Sequence, residues 1–133
     1  MIGIVIVAHG GLAREYLSAV EHVVGKQEGI RTIAIEEDHD RAAKQAEIRA
    51  AADAVDTGDG VVVVTDMFGG SPSNLSLYAC SDTDRRILYG ANLPMLIKLA
   101  KSRHLGVDEA SEAALDAARK YINSYIGSEQ AAQ

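Results

Sequence analysis

Cysteine occurs once in this chain of 133 residues, at Cys80. A single thiol can form neither an intramolecular disulfide nor a CxxC metal or redox pair, and it fits a reducing compartment. Basic charge is also scarce: 13 Lys and Arg stand against 19 Asp and Glu, a formal net charge of −6. The cations are dispersed, with no basic stripe to release counterions from a phosphate backbone, so nucleic acid is not an expected partner. An acidic surface instead favours a partner with a basic patch. Long hydrophobic runs are missing too. No stretch approaches the about 18 consecutive apolar residues of a membrane span, and the N-terminal apolar run has neither a basic leader nor a small-residue cleavage site. These absences point to a soluble, cytoplasmic protein.

What is present is enough apolar material, 47% of residues, for one continuous core and one domain. That domain is expected over residues 1–127, with the "SEQAAQ" end, 128–133, a frayed tail. Four short apolar runs recur, at Ile2 to Ala8, Ile30 to Ile35, Gly60 to Thr65 and Arg86 to Tyr89. The first and third are almost unbroken Ile and Val, the pattern of strands covered on both faces. Between them, Leu12 to Val24 carries Leu12, Tyr16, Leu17, Val20, Val23 and Val24 on one helical stripe, and Arg41 to Val55 reads as a second, alanine-rich helix capped by Asp38 or Asp40. Ser71 followed by Pro72 predicts a third helix running to about Cys80. Asn92, Leu93 and Pro94 open a fourth, and Asp108 caps a fifth beginning at Glu109. The alternation predicts an α/β fold: a doubly wound, mostly parallel four-stranded sheet in the order 2-1-3-4, with helices on both faces. The stretch Tyr121 to Ile126 reads either as the end of the last helix or as an extra antiparallel edge strand.

In such sheets ligands bind beyond the carboxyl ends of the strands, where the strand order reverses. Strands 1 and 3 meet there, and the residues leaving them are His9 and Asp66, 57 positions apart. A carboxylate that accepts the Nδ1 proton of a histidine fixes its tautomer, turns the Nε2 lone pair outward and stabilises a positively charged ring. Gly10 and Gly11 after the histidine, and Gly69, Gly70 and Ser71 after the aspartate, let backbone N–H groups approach an anion. The combination suits a phosphoryl group carried on His9. No metal-ligand spacing and no GxxxxGK[ST] or GxGxxG motif is present, so neither metal nor nucleotide nor any other cofactor is expected. His22, His39 and His104 have no adjacent partner and read as structural or solvated. Cys80 reads as a small apolar filler, Met67 and Phe68 as core cover, Asn92 and Pro94 as a capped turn, and Glu36, Glu37, Asp38 and Asp40 as a solvated turn.

The stretches "IVIVAHGGLAREYLSAVEHVVG", "VVVVTDMFGGSPSN" and "GANLPML" together resemble the IIA component of the mannose family of the bacterial phosphoenolpyruvate-dependent sugar phosphotransferase system. The likeness covers nearly the whole chain and weakens after about Gly106. It implies a homodimer and a phosphotransferase whose histidine, matching His9, receives a phosphoryl group from the phosphocarrier HPr and passes it to a IIB component. The family's hydrogen-bonding aspartate matches Asp66, and its glycine loop and serine match Gly69, Gly70 and Ser71. In some relatives a last, antiparallel strand crosses to the dimer partner, a role open to "YINSYI". Two departures stand out. Ala8 replaces the Thr or Ser that many relatives carry before the histidine, which leaves Thr65 as the nearest substitute hydroxyl. No IIB domain follows, so the expected acceptor is a separate protein, at most alongside a membrane permease in sugar transport. The alternative reading is a regulatory module whose phosphorylation at His9 controls a partner without transport. A dihydroxyacetone kinase phosphotransfer subunit is disfavoured by "FGGSPSN", and a histidine phosphatase by Ala8 where its Arg-His-Gly motif needs arginine.

Overall fold

The computed structural model describes residues 1–67, 69–81 and 84–127. Phe68 and the expected tail at 128–133 lie outside the described residues. Four parallel strands, β1 (Gly3–His9), β2 (Ile30–Ile35), β3 (Val61–Thr65) and β4 (Arg85–Leu88), form one sheet in the order β2-β1-β3-β4. The helices are α1 (Leu12–Val24), α2 (Arg41–Val55), α3 (Ser71–Ser76), which tightens into a 3-10 turn at Leu77–Cys80, α4 (Leu93–Lys101) and α5 (Val107–Lys120).

The period of two along a strand divides the core. Even-numbered residues of β1, Ile4, Ile6 and Ala8, join Val62 and Val64 of β3 under Val20, Met95, Leu99 and Ala114 of α1, α4 and α5. Odd-numbered ones, Val5 and Val7, join Val61 and Val63 under Ile48 and Ala52 of α2 and Leu75 of α3. Because β1 and β3 are central, both faces of each are covered, and from Gly3 to Ala8 and Val61 to Thr65 every residue is buried. That is why these two runs show no polar alternation. Gly3 is also a packing requirement: a Cβ there would stand 2.4 Å from the Val55 carbonyl oxygen at the end of α2.

Polar side chains fasten the connections. Asn92 accepts the Met95 N–H at 2.9 Å as the cap of α4 and donates to the Ala118 carbonyl of α5 at 3.0 Å. Tyr16 of α1 donates its hydroxyl to the Ala91 carbonyl at 3.1 Å. Asp40, rather than Asp38, caps α2 by accepting the Ala43 N–H at 3.0 Å. Arg103, only 4% exposed, has no carboxylate partner among the described residues and donates to the carbonyls of Ile2, Glu28 and Gly29, so it ties the α4–α5 turn to the feet of β1 and β2. Burial pulls its pKa down from the usual value.

Four expectations change. Gly70, not Ser71, caps α3; Ser71 is its first helical residue, and no side chain caps it. Gly106 caps α5, two residues earlier than expected from Asp108, which lies in the first turn beside Arg86. There its carboxylate still opposes the positive helix end. Met67 is 54% exposed and covers no core. Finally, residues 122–126 form neither helix nor strand; their apolar side chains are exposed, so no packing among the described residues selects either form.

Candidate functional site

The sheet brings His9 and Asp66 together through its own register. Gly3 N–H donates to Gly60 O at the foot of the β1–β3 pair, and the parallel ladder advances in steps of two. His9 N–H therefore arrives opposite residue 66, beyond the last paired carbonyl. The Asp66 side chain takes that place: its Oδ2 accepts His9 N–H at 3.0 Å. The same oxygen lies 2.8 Å from His9 Nδ1. A carboxylate can only accept, so Nδ1 carries the proton and Nε2 holds the lone pair. The Asp66 side chain is 11% exposed and that of His9 48%, so the orienting group is sheltered and the ring it orients is open. Burial, the largest influence on Asp66, pushes its pKa up, but the two hydrogen bonds and the charge of His9 outweigh it and hold the carboxyl below its usual range.

The glycine loop closes the other side. A Cβ on Gly70 would stand 3.3 Å from His9 Cε1, so the ring packs against bare backbone. Gly69 adopts φ +83°, a conformation that favours glycine, and its N–H donates to Ser73 Oγ at 3.1 Å. Ser73 in turn donates to the Gly70 carbonyl, which also accepts the Asn74 N–H. The Gly69 amide is thus already engaged, while Gly70 and Ser71 lead into α3 beside the ring. Gly10, at φ +54°, donates its N–H to Ile35 O at 3.1 Å, which turns the chain from β1 into α1 and fixes the β2 end next to the histidine.

The hydroxyl question at Ala8 also has a geometric answer. Ala8 points to the α1, α4 and α5 face of the sheet, whereas His9 follows Val7 on the face of α2 and α3. A hydroxyl at position 8 would enter the opposite core layer. Thr65 shares the face of His9, but it is fully buried and its Oγ1, like Asp66 Oδ1, has no hydrogen-bond partner among the described residues. It does not take over a contact to the ring.

The other sequence candidates stay apart from this site. His22 and His104 are exposed, and His39 Nδ1 donates to the Glu36 carbonyl at 2.9 Å. Cys80 is half-buried, and burial pushes its thiol up to about 11 against the opposing charges of Arg85 and Arg49, which leaves it protonated. Among the described residues no group of three or more His, Cys, Asp and Glu is arranged to hold a metal ion, and no helix is long and apolar enough to cross a membrane. One feature escaped the sequence reading: Arg85, with its side chain 4% exposed, bridges Asp53 of α2 and Asp56, the residue that caps its C-terminus, at 2.7 and 3.1 Å and donates to the Ala79 carbonyl behind α3. Only the fold shows that these three segments meet.

Fold and site together define a doubly wound α/β protein that presents one open, carboxylate-oriented histidine at the switch point of its sheet. Comparison with known proteins narrows the class. Residues 3–118 match the model of the EIIA-man family, described as "PTS system fructose IIA component". A curated relative, the "PTS system mannose-specific EIIAB component" of Escherichia coli K12, is 28% identical over 126 residues, 92% of this chain. The match spans only 39% of that relative's length. Among solved structures, the phosphotransferase system component EIIA from Streptococcus agalactiae is 27% identical, with a TM-score of 0.83 over 93% of this chain and 97% of its own. The PTS IIA protein associated with the fucose utilization operon of Streptococcus pneumoniae is 25% identical, with a TM-score of 0.77 over 97% and 95% of the two chains. The chain belongs to the EIIA-man family of phosphotransferase system IIA components.

Proposed function

We propose that the protein is a phosphoryl carrier of the sugar phosphotransferase system, which accepts a phosphoryl group from the phosphohistidine of HPr on His9 and passes it to a IIB component. The observation that carries this reading is the 2.8 Å contact between Nδ1 of an open histidine and a sheltered carboxylate. Nε2 attacks phosphorus as the bond to the donor's ring nitrogen breaks, and that nitrogen recovers its electron pair. The His9 ring gains positive charge in the process, and Asp66 stabilises it. Backbone N–H groups at Gly70 and Ser71 stand ready for the equatorial oxygens, and the loop that places them is already closed by Ser73. Positioning and electrostatics supply most of the catalysis in such a transfer.

A homodimer is part of the proposal. Tyr121, Ile122, Tyr125 and Ile126 expose 56–73% of their surface at the end of the chain, apolar area that supports a contact with a second copy. Light scattering on the full chain tests it.

The carrier itself is tested by incubation with phosphoenolpyruvate, enzyme I and HPr, followed by mass spectrometry under alkaline conditions. A phosphoryl gain localised to His9, absent in His9→Ala, is the expected result. Labelling that survives this substitution refutes the assignment.

A further inference from the structure

Helix α3 is a strut between the two ends of the sheet. It starts at Ser71, beyond the carboxyl end of β3, and its 3-10 turn ends at Cys80, before β4 opens at Arg85 beside Val61, the first residue of β3. These six and four helical residues rise about 15 Å, close to the roughly 17 Å covered by the five residues of β3. The chain thus returns from the His9 end to the foot of the sheet in one short helix, which has little stability of its own. Burial of Leu75 and Ala79 against α2 holds the strut to the sheet, but apolar contact is non-directional. Its height is set by what holds its two ends.

At the His9 end, Gly70 caps the strut, and a Cβ on it would stand 3.3 Å from His9 Cε1. Cε1 is bonded to Nε2, so this backbone limits how far the ring can swing about its Nδ1 hydrogen bond to Asp66. At the foot, two arginines take the last carbonyls. Arg49 Nη1 donates to Tyr78 O at 2.9 Å, with its guanidinium 5.1 Å from the Tyr78 ring centre. Arg85 Nη1 donates to Ala79 O at 2.9 Å. Carboxylates at the end of α2 hold both cations in turn: Arg85 Nη2 donates to Asp53 at 2.7 Å and to Asp56 at 3.1 Å, and Asp53 Oδ1 lies 3.6 Å from Arg49 Nε. Helix-end carbonyls carry partial negative charge, and hydrogen bonds from a charged donor are the strong ones.

We infer that Arg85 and Arg49 are positioning residues for phosphoryl transfer: by gripping the foot of the strut they keep Gly70 against the His9 ring, and so aim Nε2. The inference rests on the carrier reading of His9. Neither arginine touches the ring. They act along the strut, because a shift at Ala79 is passed through the helix to Gly70. The planar fork of Arg85 spans the Ala79 carbonyl and two carboxylates at once, a geometry that lysine cannot copy.

The test uses the full chain and two donors, phosphorylated HPr and potassium phosphoramidate, the second too small to need a docking surface. Arg85→Met removes the fork and leaves Asp53 and Asp56, which both reach solvent, to be hydrated. A misplacement on the order of 1 Å costs up to about a hundredfold in rate, so labelling of His9 by phosphoramidate is expected to be about 10- to 100-fold slower. The same fall is expected in kcat with phosphorylated HPr, with KM within about twofold of wild type. The Hε1 proton resonance of His9 shifts as well. Arg103→Met controls for stability alone: it loses carbonyl partners at the feet of β1 and β2, and should lower the urea midpoint while rate and resonance stay at wild-type values. Rates in Arg85→Met within about twofold of wild type, a rise in KM at constant kcat, an unmoved Hε1 resonance, or an equal loss in Arg103→Met each overturn the inference and leave the carrier reading standing. Should Arg85→Met not fold, Arg49→Met, on a half-buried residue that holds Tyr78, is read by the same measures, with a loss of about threefold or more expected. If neither donor labels His9 in wild type, the carrier reading falls and the positioning role falls with it.

Discussion

Asp66→Asn is the substitution that most directly probes the pair at the switch point. One oxygen of Asp66 accepts both the backbone N–H and the ring Nδ1 of His9, at 3.0 and 2.8 Å. The amide keeps the size of the side chain but removes its charge. It also offers an NH₂ group that can face Nδ1, which would move the ring proton to Nε2 and block the attacking lone pair. Hydrogen bonds to a charged acceptor contribute about 1.5–3 kcal/mol, against about 1 kcal/mol for neutral ones. Two weakened bonds therefore cost about 2–3 kcal/mol, most of it where the ring becomes positive. At 1.36 kcal/mol per decade this is about a 30- to 150-fold slower transfer. Rapid-quench measurement of His9 phosphorylation by phosphorylated HPr reads the rate, with KM unchanged because Asp66 lies behind the ring. A variant that transfers within about threefold of wild type while retaining its fold would show that Asp66 does not govern the tautomer, and the mechanism would lose its orienting group.

The same carboxylate gives stability a pH signature. The Asp66 pKa is lowered in the fold, so its contribution is present above the ordinary value of 3.8 and is lost as pH falls through the lower folded value. Urea titrations should accordingly find wild type more stable than Asp66→Asn at neutral pH, with the gap narrowing below 3.8. Gly70→Ala places a methyl group 3.3 Å from His9 Cε1, and single-turnover kinetics should show slower transfer with near-native stability. Arg103→Met removes the partner of three carbonyls at the feet of β1 and β2, and should cost about 2–4 kcal/mol in chemical denaturation without altering the chemistry at His9, which sits at the opposite ends of the strands.

Much of this architecture is legible in local pattern. The strands and the bounds of α1 and α2 follow from unbroken Ile and Val runs and from helical stripes, because burial on two faces and burial on one leave different periodicities. The start of α5 is less legible: Asp108 is a good cap residue, yet the helix begins two residues before the expected Glu109, where Val107 joins the core. Met67 misled for the same reason in reverse: an apolar residue after a buried strand resembles core cover, and only the path of the loop carries it to the surface. The segment at 122–126 stays ambiguous because its apolar side chains remain largely exposed among the described residues.

The sequence by itself determined the strand order, the end of β3 and, to within a residue, that of β1, and hence that His9 and Asp66 share one crevice, since a parallel sheet with short crossovers allows few other arrangements. Tertiary structure alone decided how they meet. It is the register of β1 on β3 that leaves His9 N–H without a backbone carbonyl and draws Asp66 into its place, so that one oxygen holds both the backbone and the ring. The core layer that Ala8 enters and the burial of Thr65 on the face of His9 likewise depend on which side of the sheet each residue occupies. That is a long-range property of packing, which no local run of residues encodes.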